Sequence, residues 1–217
     1  MASAGFGAIK ATFVTDATWM DLDPPNRARM KIHGTAPGSS VDDRPTRLPI
    51  SATENVVSNA ERRAIQTGER DIVPRIADIY AALPAITGKI ELEYEGELVG
   101  GHTIAKELIR RAADATYQDR AGGINTDEII MWFDVGGALQ ITDDVPVDAV
   151  VEGFGSVPGL MQVVNTAGLA PMDDLPVVAA GCELVLESLV ARKKIARSDA
   201  GQYGRAVEEK RRRPYQD

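Results

Sequence analysis

The sequence predicts a mainly α-helical protein with at most one or two short strands. From residue 51 onward, apolar residues recur at helical spacing, and several of these segments begin at a capping residue and end at glycine. Strict alternation of apolar and polar residues, the pattern of a half-buried strand, is sustained only over residues 89–95. Of the 217 residues, 44% are hydrophobic but only 5% aromatic, so aliphatic side chains and alanine must fill the core.

The first segment, residues 1–38, differs from the rest of the chain. It is rich in glycine and proline, with a Pro24-Pro25 pair, and it shows no sustained period. We expect one short strand over residues 9–14 and poor order elsewhere in this segment.

Two helices are predicted next. The first has Ser51 as N-cap with Glu54 at the third position, a capping-box pair, and it ends at Gly68. The second begins with Pro74 in its first turn and is stopped by Pro84.

The predicted helices of the second half are one over residues 102–118, one with Asn125 as N-cap, and three over residues 147–154, 158–167 and 175–196. The organisation that follows is an N-terminal segment (1–38), a helical region (39–100), a helical extension (101–197) and a polar, basic tail (198–217). The tail contains the run Lys210 to Arg213.

Composition excludes several classes of function. The formal charge of −8 is unlike that of a general nucleic-acid binder, and one cysteine with two histidines cannot form a disulfide framework or a multi-His or multi-Cys metal cluster. No apolar run has the length of a membrane span. We therefore expect a cytoplasmic protein without a membrane partner, and we assign it no metal ligand and no catalytic residue.

The short motifs of the chain have ordinary structural explanations. Gly88-Lys89 is not a Walker A loop, because Leu83 stands where the first glycine is required. Cys182 lies on the apolar side of the last helix and is interpreted as a packed core residue. The pairs Asp143-Asp144 and Asp173-Asp174 each precede a helical stretch, where acidic residues are favoured without any cation.

Two arginines, Arg44 and Arg47, come immediately before the first predicted helix. A guanidinium is a delocalised cation with forked donors that suits a phosphate or carboxylate. The residues alone leave two readings open, an anion contact in a cleft above that helix or a surface loop.

From residue 39 onward the chain resembles the C-terminal part of a magnesium-chelatase-like AAA+ ATPase. The matching segments follow the same order along the chain: residues 41–44, 46–67, 73–78, 88–94, 108–112, 122–124, 157–159 and 184–194. The resemblance implies an AAA+ lid-type helical bundle over residues 39–100 with a helical C-terminal extension over 101–197. It also implies a sensor-2-like, nucleotide-binding role for Arg47 when a core is present, with Arg44 as a second arginine of the same loop.

In the complete family, ATP and Mg²⁺ are bound by Walker A and Walker B residues, which residues 1–38 lack. We therefore expect a truncated or remnant lid region that has no cofactor of its own and does not hydrolyse ATP alone. The partners that the resemblance implies are an AAA+ core, neighbouring ring subunits and a von Willebrand A-type protein.

Two alternatives remain open at this point. One is a freestanding helical adaptor that binds a protein or nucleic-acid partner through the basic C-terminus. The other is a small-molecule enzyme built on Cys182 and scattered carboxylates.

Overall fold

A computed structural model describes the backbone of residues 9–13, 28–32, 39–41, 47–87, 90–92 and 100–206, and the side chains of 51–87 and 100–206. The predicted mainly α class is confirmed. The helices within these ranges are α1 (Arg47–Thr67), α2 (Ile76–Ala81), α3 (Leu83–Thr87), α4 (Gly101–Ala121), α5 (Asp127–Asp134), α6 (Val147–Gly155), α7 (Leu160–Thr166) and α8 (Leu175–Ala191).

Short strands form three small sheets. The strands are β1 (Ile9–Phe13), β2 (Ala28–Ile32), β3 (Ser39–Val41), β4 (Ile90–Leu92), β5 (Leu139–Gln140), β6 (Ile195–Arg197) and β7 (Gln202–Arg205). β1 pairs with β2 in parallel, β3 with β4 antiparallel, and β7 lies between β5 and β6 in an antiparallel sheet. Strands were predicted where β1 and β4 occur, but one or two is an underestimate, because strands of two to five residues are too short to show a period.

The central element of the fold is α8, whose residues 177–190 are all buried. This helix is apolar on nearly every side, as expected of a helix surrounded by others, and it packs against α4, α6 and α7. Asp174 caps its N-terminus by accepting a hydrogen bond from the Val177 N–H at 3.3 Å. It ends at Ala191 rather than at residue 196, because Lys193 adopts a left-handed φ of 58° and β6 follows.

The first helices differ from prediction at their N-termini. α1 begins at Arg47, so Ser51 lies inside the helix and the predicted capping box is wrong. Pro49 is accommodated because the N–H groups of the first turn need no helical acceptor. For the same reason Pro84 does not stop a helix but occupies the second position of α3. The predicted end of α1 at Gly68 is confirmed, with φ of 75°.

The predicted polar tail is wrong for its first part. β7 follows a turn at Gly201, and the Tyr203 side chain is buried. Gly201 has φ of 78°, and a Cβ there would lie 2.5 Å from the Ile141 carbonyl oxygen, so the turn requires glycine. The basic run from Lys210 to Arg213, like most of residues 1–38, lies outside the described residues.

One hydrophobic cluster includes side chains from Ala52 on α1 to Tyr203 on β7. As the composition predicts, small and aliphatic residues fill most of it. Among the described helices, none has both the length and the apolar character needed to cross a lipid bilayer.

Candidate functional site

The two arginines predicted to bind nucleotide cannot be placed as side chains. Arg47 is the first residue of α1, but its side chain lies outside the described part of the structure, and Arg44 lies outside the described residues altogether. The sensor-2-like role therefore stays a prediction.

The structure describes the side chains of other residues that the sequence analysis singled out. Cys182 is fully buried, with its Sγ 3.8 Å from the Met161 Sδ, and burial raises the pKa of its thiol, so its interpretation as a core residue is confirmed. His102 is exposed near the start of α4. Within residues 51–87 and 100–206, no group of three or more Cys, His, Asp or Glu side chains is arranged to hold a metal ion.

Two buried carboxylates on α8, Glu183 and Glu187, were missed by the sequence analysis. They are 1% and 0% exposed and lie one helical turn apart, on the same side of the helix. The sequence does contain a signal for them. In a helix that is apolar all round, any glutamate must be buried, and a buried carboxylate requires partners.

Glu187 is surrounded by two hydroxyls and two guanidinium groups. It accepts hydrogen bonds from the Tyr80 hydroxyl and, at 3.3 Å, from the Tyr203 hydroxyl. The Nε atoms of Arg110 and Arg197 each lie 3.8 Å from one of its oxygens. Burial raises the pKa of Glu187, and these partners oppose the rise. The pKa values of both tyrosines are also raised, first by burial and then by the nearby carboxylate.

Glu183 lies against the N-terminal end of α2. It accepts a hydrogen bond from the Ala77 N–H at 3.1 Å, and the Arg75 Nε lies 3.4 Å from its other oxygen without hydrogen-bond alignment. Arg75 is 1% exposed, and none of its guanidinium nitrogens has a hydrogen-bond partner among the described residues. Its Nη2 is 4.0 Å from Asp143. Burial raises the pKa of Glu183, while the Arg75 charge lowers it.

A second buried arginine, Arg63, joins α1 to α2. Its Nη2 donates to the Val73 carbonyl at 2.7 Å and to Asp78 at 3.1 Å, and its Nη1 donates to Glu69 at 2.9 Å. Asp78 also accepts from the Arg75 N–H at 2.8 Å. Burial by itself would lower the pKa of Arg63, but the two carboxylates raise it, so the arginine remains charged.

A pocket of about 480 Å³, with both polar and apolar lining residues, borders this network. Tyr80 and Arg197 belong both to the network and to the pocket wall, and the Arg197 guanidinium lies over the Tyr80 ring at 4.1 Å. The remaining lining residues come from α2, α3, α4 and the turns around β5 and β7: Ala77, Ala81, Leu83, His102, Lys106, Ile141, Thr142, Asp143, Asp199, Ala200 and Gly201.

The chain matches no family model, no curated protein and no solved structure. The arrangement of the charged residues does two things: buried ion pairs fix α1, α2 and α8 relative to one another, and Arg197 presents a cation to the adjoining pocket.

Proposed function

We propose that this chain is a lid-type helical module of the magnesium-chelatase-like AAA+ class, which acts by associating with a nucleotide-binding core and neighbouring ring subunits. In this proposal Arg47 contacts the nucleotide held by the core. A guanidinium at that position would couple the placement of α1 to the phosphates. A von Willebrand A-type protein is the further partner that the resemblance suggests.

The main support for the proposal is the collinear resemblance over residues 39–194, with Arg47 at the first position of a 21-residue helix. The contacts of α1 add to this support. Arg63 ties α1 to Asp78 on α2, and Arg75 and Ala77 tie α2 to Glu183 on α8. Because these contacts join the three helices, a displacement of α1 would move α1, α2 and α8 together.

Exposed apolar side chains are compatible with a protein partner. Met131 and Val135 lie one turn apart at the C-terminal end of α5 and are 64% and 80% exposed. Ile65, near the end of α1, is 82% exposed. Such side chains are candidates for burial in an assembly.

The test is to mix the full chain with the nucleotide-binding core of a magnesium-chelatase-like ATPase that has its own Walker A and Walker B residues. We expect association by analytical ultracentrifugation and a higher ATPase rate than either component shows alone. Arg47→Ala should remove the gain, since an arginine that stabilises phosphoryl transfer contributes about a thousandfold or more in rate. Arg44→Ala tests the second arginine of the same loop.

The matched control is Arg62→Ala, which removes an exposed arginine from the same helix. Among the described residues its side chain hydrogen-bonds to Asn59, at 3.2 Å. Its ATPase gain should equal that of the wild type. Failure to associate, or a gain that survives Arg47→Ala, would refute the proposal. ATP hydrolysis by the chain alone that disappears with Arg47→Ala would also contradict it.

A further inference from the structure

We propose that the pocket between α2, α4 and the β7 turn binds a small organic oxyanion, a carboxylate or a phosphate, through Arg197 and Lys106. This site is separate from the proposed role of Arg47.

Arg197 is held rigidly on three sides. Its guanidinium lies 4.1 Å from the Tyr80 ring centre and 5.6 Å from that of Tyr203, and its Nε is 3.8 Å from the Glu187 carboxylate. The side chain is only 11% exposed, so its orientation is fixed before any ligand arrives. A preorganised guanidinium loses little entropy when it binds an anion.

The donors of Arg197 are unused. No hydrogen bond joins its guanidinium to any residue in the described part of the chain. Among its three nitrogens, Nε is the one that is buried without a hydrogen-bond partner. The two terminal nitrogens are not among the enclosed atoms, and Arg197 is one of the residues that line the pocket. That pair of parallel donors matches the two oxygens of a carboxylate or phosphate.

Lys106 provides a second cation that can be shared. Its Nζ lies 2.6 Å from Asp199, whose side chain is 84% exposed. The Lys106 side chain itself is 16% exposed. An ammonium has three donors and Asp199 engages one of them, so Lys106 can also bind an incoming anion.

The acidic residues of the wall limit the class of ligand. Asp143 also lines the pocket and is 43% exposed, with the buried Arg75 guanidinium 4.0 Å behind it. A polyanion would be repelled by this carboxylate. A compound with one oxyanion and a hydroxyl or amine donor would satisfy both ends, and a volume of about 480 Å³ suits a small molecule rather than a folded segment.

The experiment is an NMR titration of the ¹⁵N-labelled full chain with inorganic phosphate, glycerol 3-phosphate and glycolate, at constant ionic strength. We expect saturable shifts confined to the amides of residues 141–143 and 199–201 and to the Arg197 Nε–H. Comparing the two phosphate probes tests whether a hydroxyl donor strengthens binding. Comparing the phosphates with the carboxylate probe tests which oxyanion the pocket prefers.

Lys106→Gln should weaken binding about tenfold, the loss expected for one charge-assisted hydrogen bond. Arg197→Lys, which keeps a positive charge beside Glu187 but removes the paired donors, should weaken it by at least as much. The control is Arg111→Gln, since Arg111 is an exposed arginine on α4 that pairs with Glu107 at 3.0 Å and does not line the pocket.

The proposal is overturned if none of the probes gives saturable shifts at tens of millimolar, or if binding survives Lys106→Gln unchanged. It is also overturned if Arg111→Gln weakens binding as much as Lys106→Gln does, because the effect would then reflect overall charge. Lys106 is not among the buried residues and glutamine keeps most of its length, so its variant decides the question even if Arg197→Lys does not fold.

Discussion

Replacing Arg63 by methionine tests whether the buried ionic network stabilises the fold. The side chain is 2% exposed, and its terminal nitrogens donate to Val73, Asp78 and Glu69 at 2.7, 3.1 and 2.9 Å. Methionine approximates the volume of the aliphatic stem but leaves Asp78, itself 2% exposed, as an uncompensated buried charge.

The magnitude follows from what is left unpaired. Removing one partner of a buried ion pair costs about 3–5 kcal/mol in the free energy of unfolding. In a chain of this size each kcal/mol lowers the melting temperature by about 2–4 °C, so the expected decrease is about 10 °C. Circular dichroism of purified protein during thermal and urea unfolding measures both quantities.

The neighbouring Arg62 provides the control. It is exposed, and its one hydrogen bond within the described part of the chain is to Asn59 at 3.2 Å, so Arg62→Met should change the free energy of unfolding by no more than about 0.5 kcal/mol. A double-mutant cycle of Arg63→Met with Asp78→Asn should show a coupling of about 1–3 kcal/mol. If Arg63→Met costs no more than Arg62→Met, or if the cycle shows no coupling, the network does not stabilise the fold as argued.

Three further predictions concern α8 and its end. Burial raises the pKa of Glu187 above its ordinary value of 4.5, so this carboxyl keeps its proton to a higher pH in the folded state than in the unfolded state. Stability attributable to this group should therefore fall as pH rises from about 4.5, and urea unfolding of Glu187→Gln across pH should lack that fall. Leu186→Ala, at a fully buried position, should cost about 2–5 kcal/mol in the same assay, and a cost below 1 kcal/mol would contradict its burial. Lys193→Gly should raise the free energy of unfolding by about 0.5–1 kcal/mol and the melting temperature slightly, because the backbone φ is 58° there and glycine adopts that angle without strain. A lower melting temperature would refute the strain argument.

The helices that sequence predicted best are those whose apolar period is strong. The predicted helices over residues 102–118 and 147–154 correspond to α4 and α6 within a few residues. Helix starts were predicted less well, as at α1, because proline is tolerated in a first turn and a serine inside a helix resembles a cap. The apolar pattern of a segment is a local property, so it can be read before any tertiary contact is known.

The candidate site could be predicted only in part, because its contacts are remote in sequence. The burial of Glu183 and Glu187 follows from the apolar character of α8, but the partners that satisfy them do not. The Ala77 N–H and Glu183 are 106 residues apart, and Tyr80 and Glu187 are 107 apart. Arg197 is positioned by the pairing of β6 with β7, strands of three and four residues, which are too short to show a period.

The six-residue helix α2 explains why these contacts matter together. A helix this short is not stable alone, so its position depends on its neighbours. Asp78 faces Arg63 on α1, the Ala77 N–H faces Glu183 on α8, and Tyr80 reaches both Glu187 and the pocket. Because these residues lie within one turn, a shift of α1 relative to α8 must move Tyr80, and with it the aromatic surface that supports Arg197. The proposed role of α1 and the proposed oxyanion pocket are therefore mechanically connected, although each can fail its own test independently.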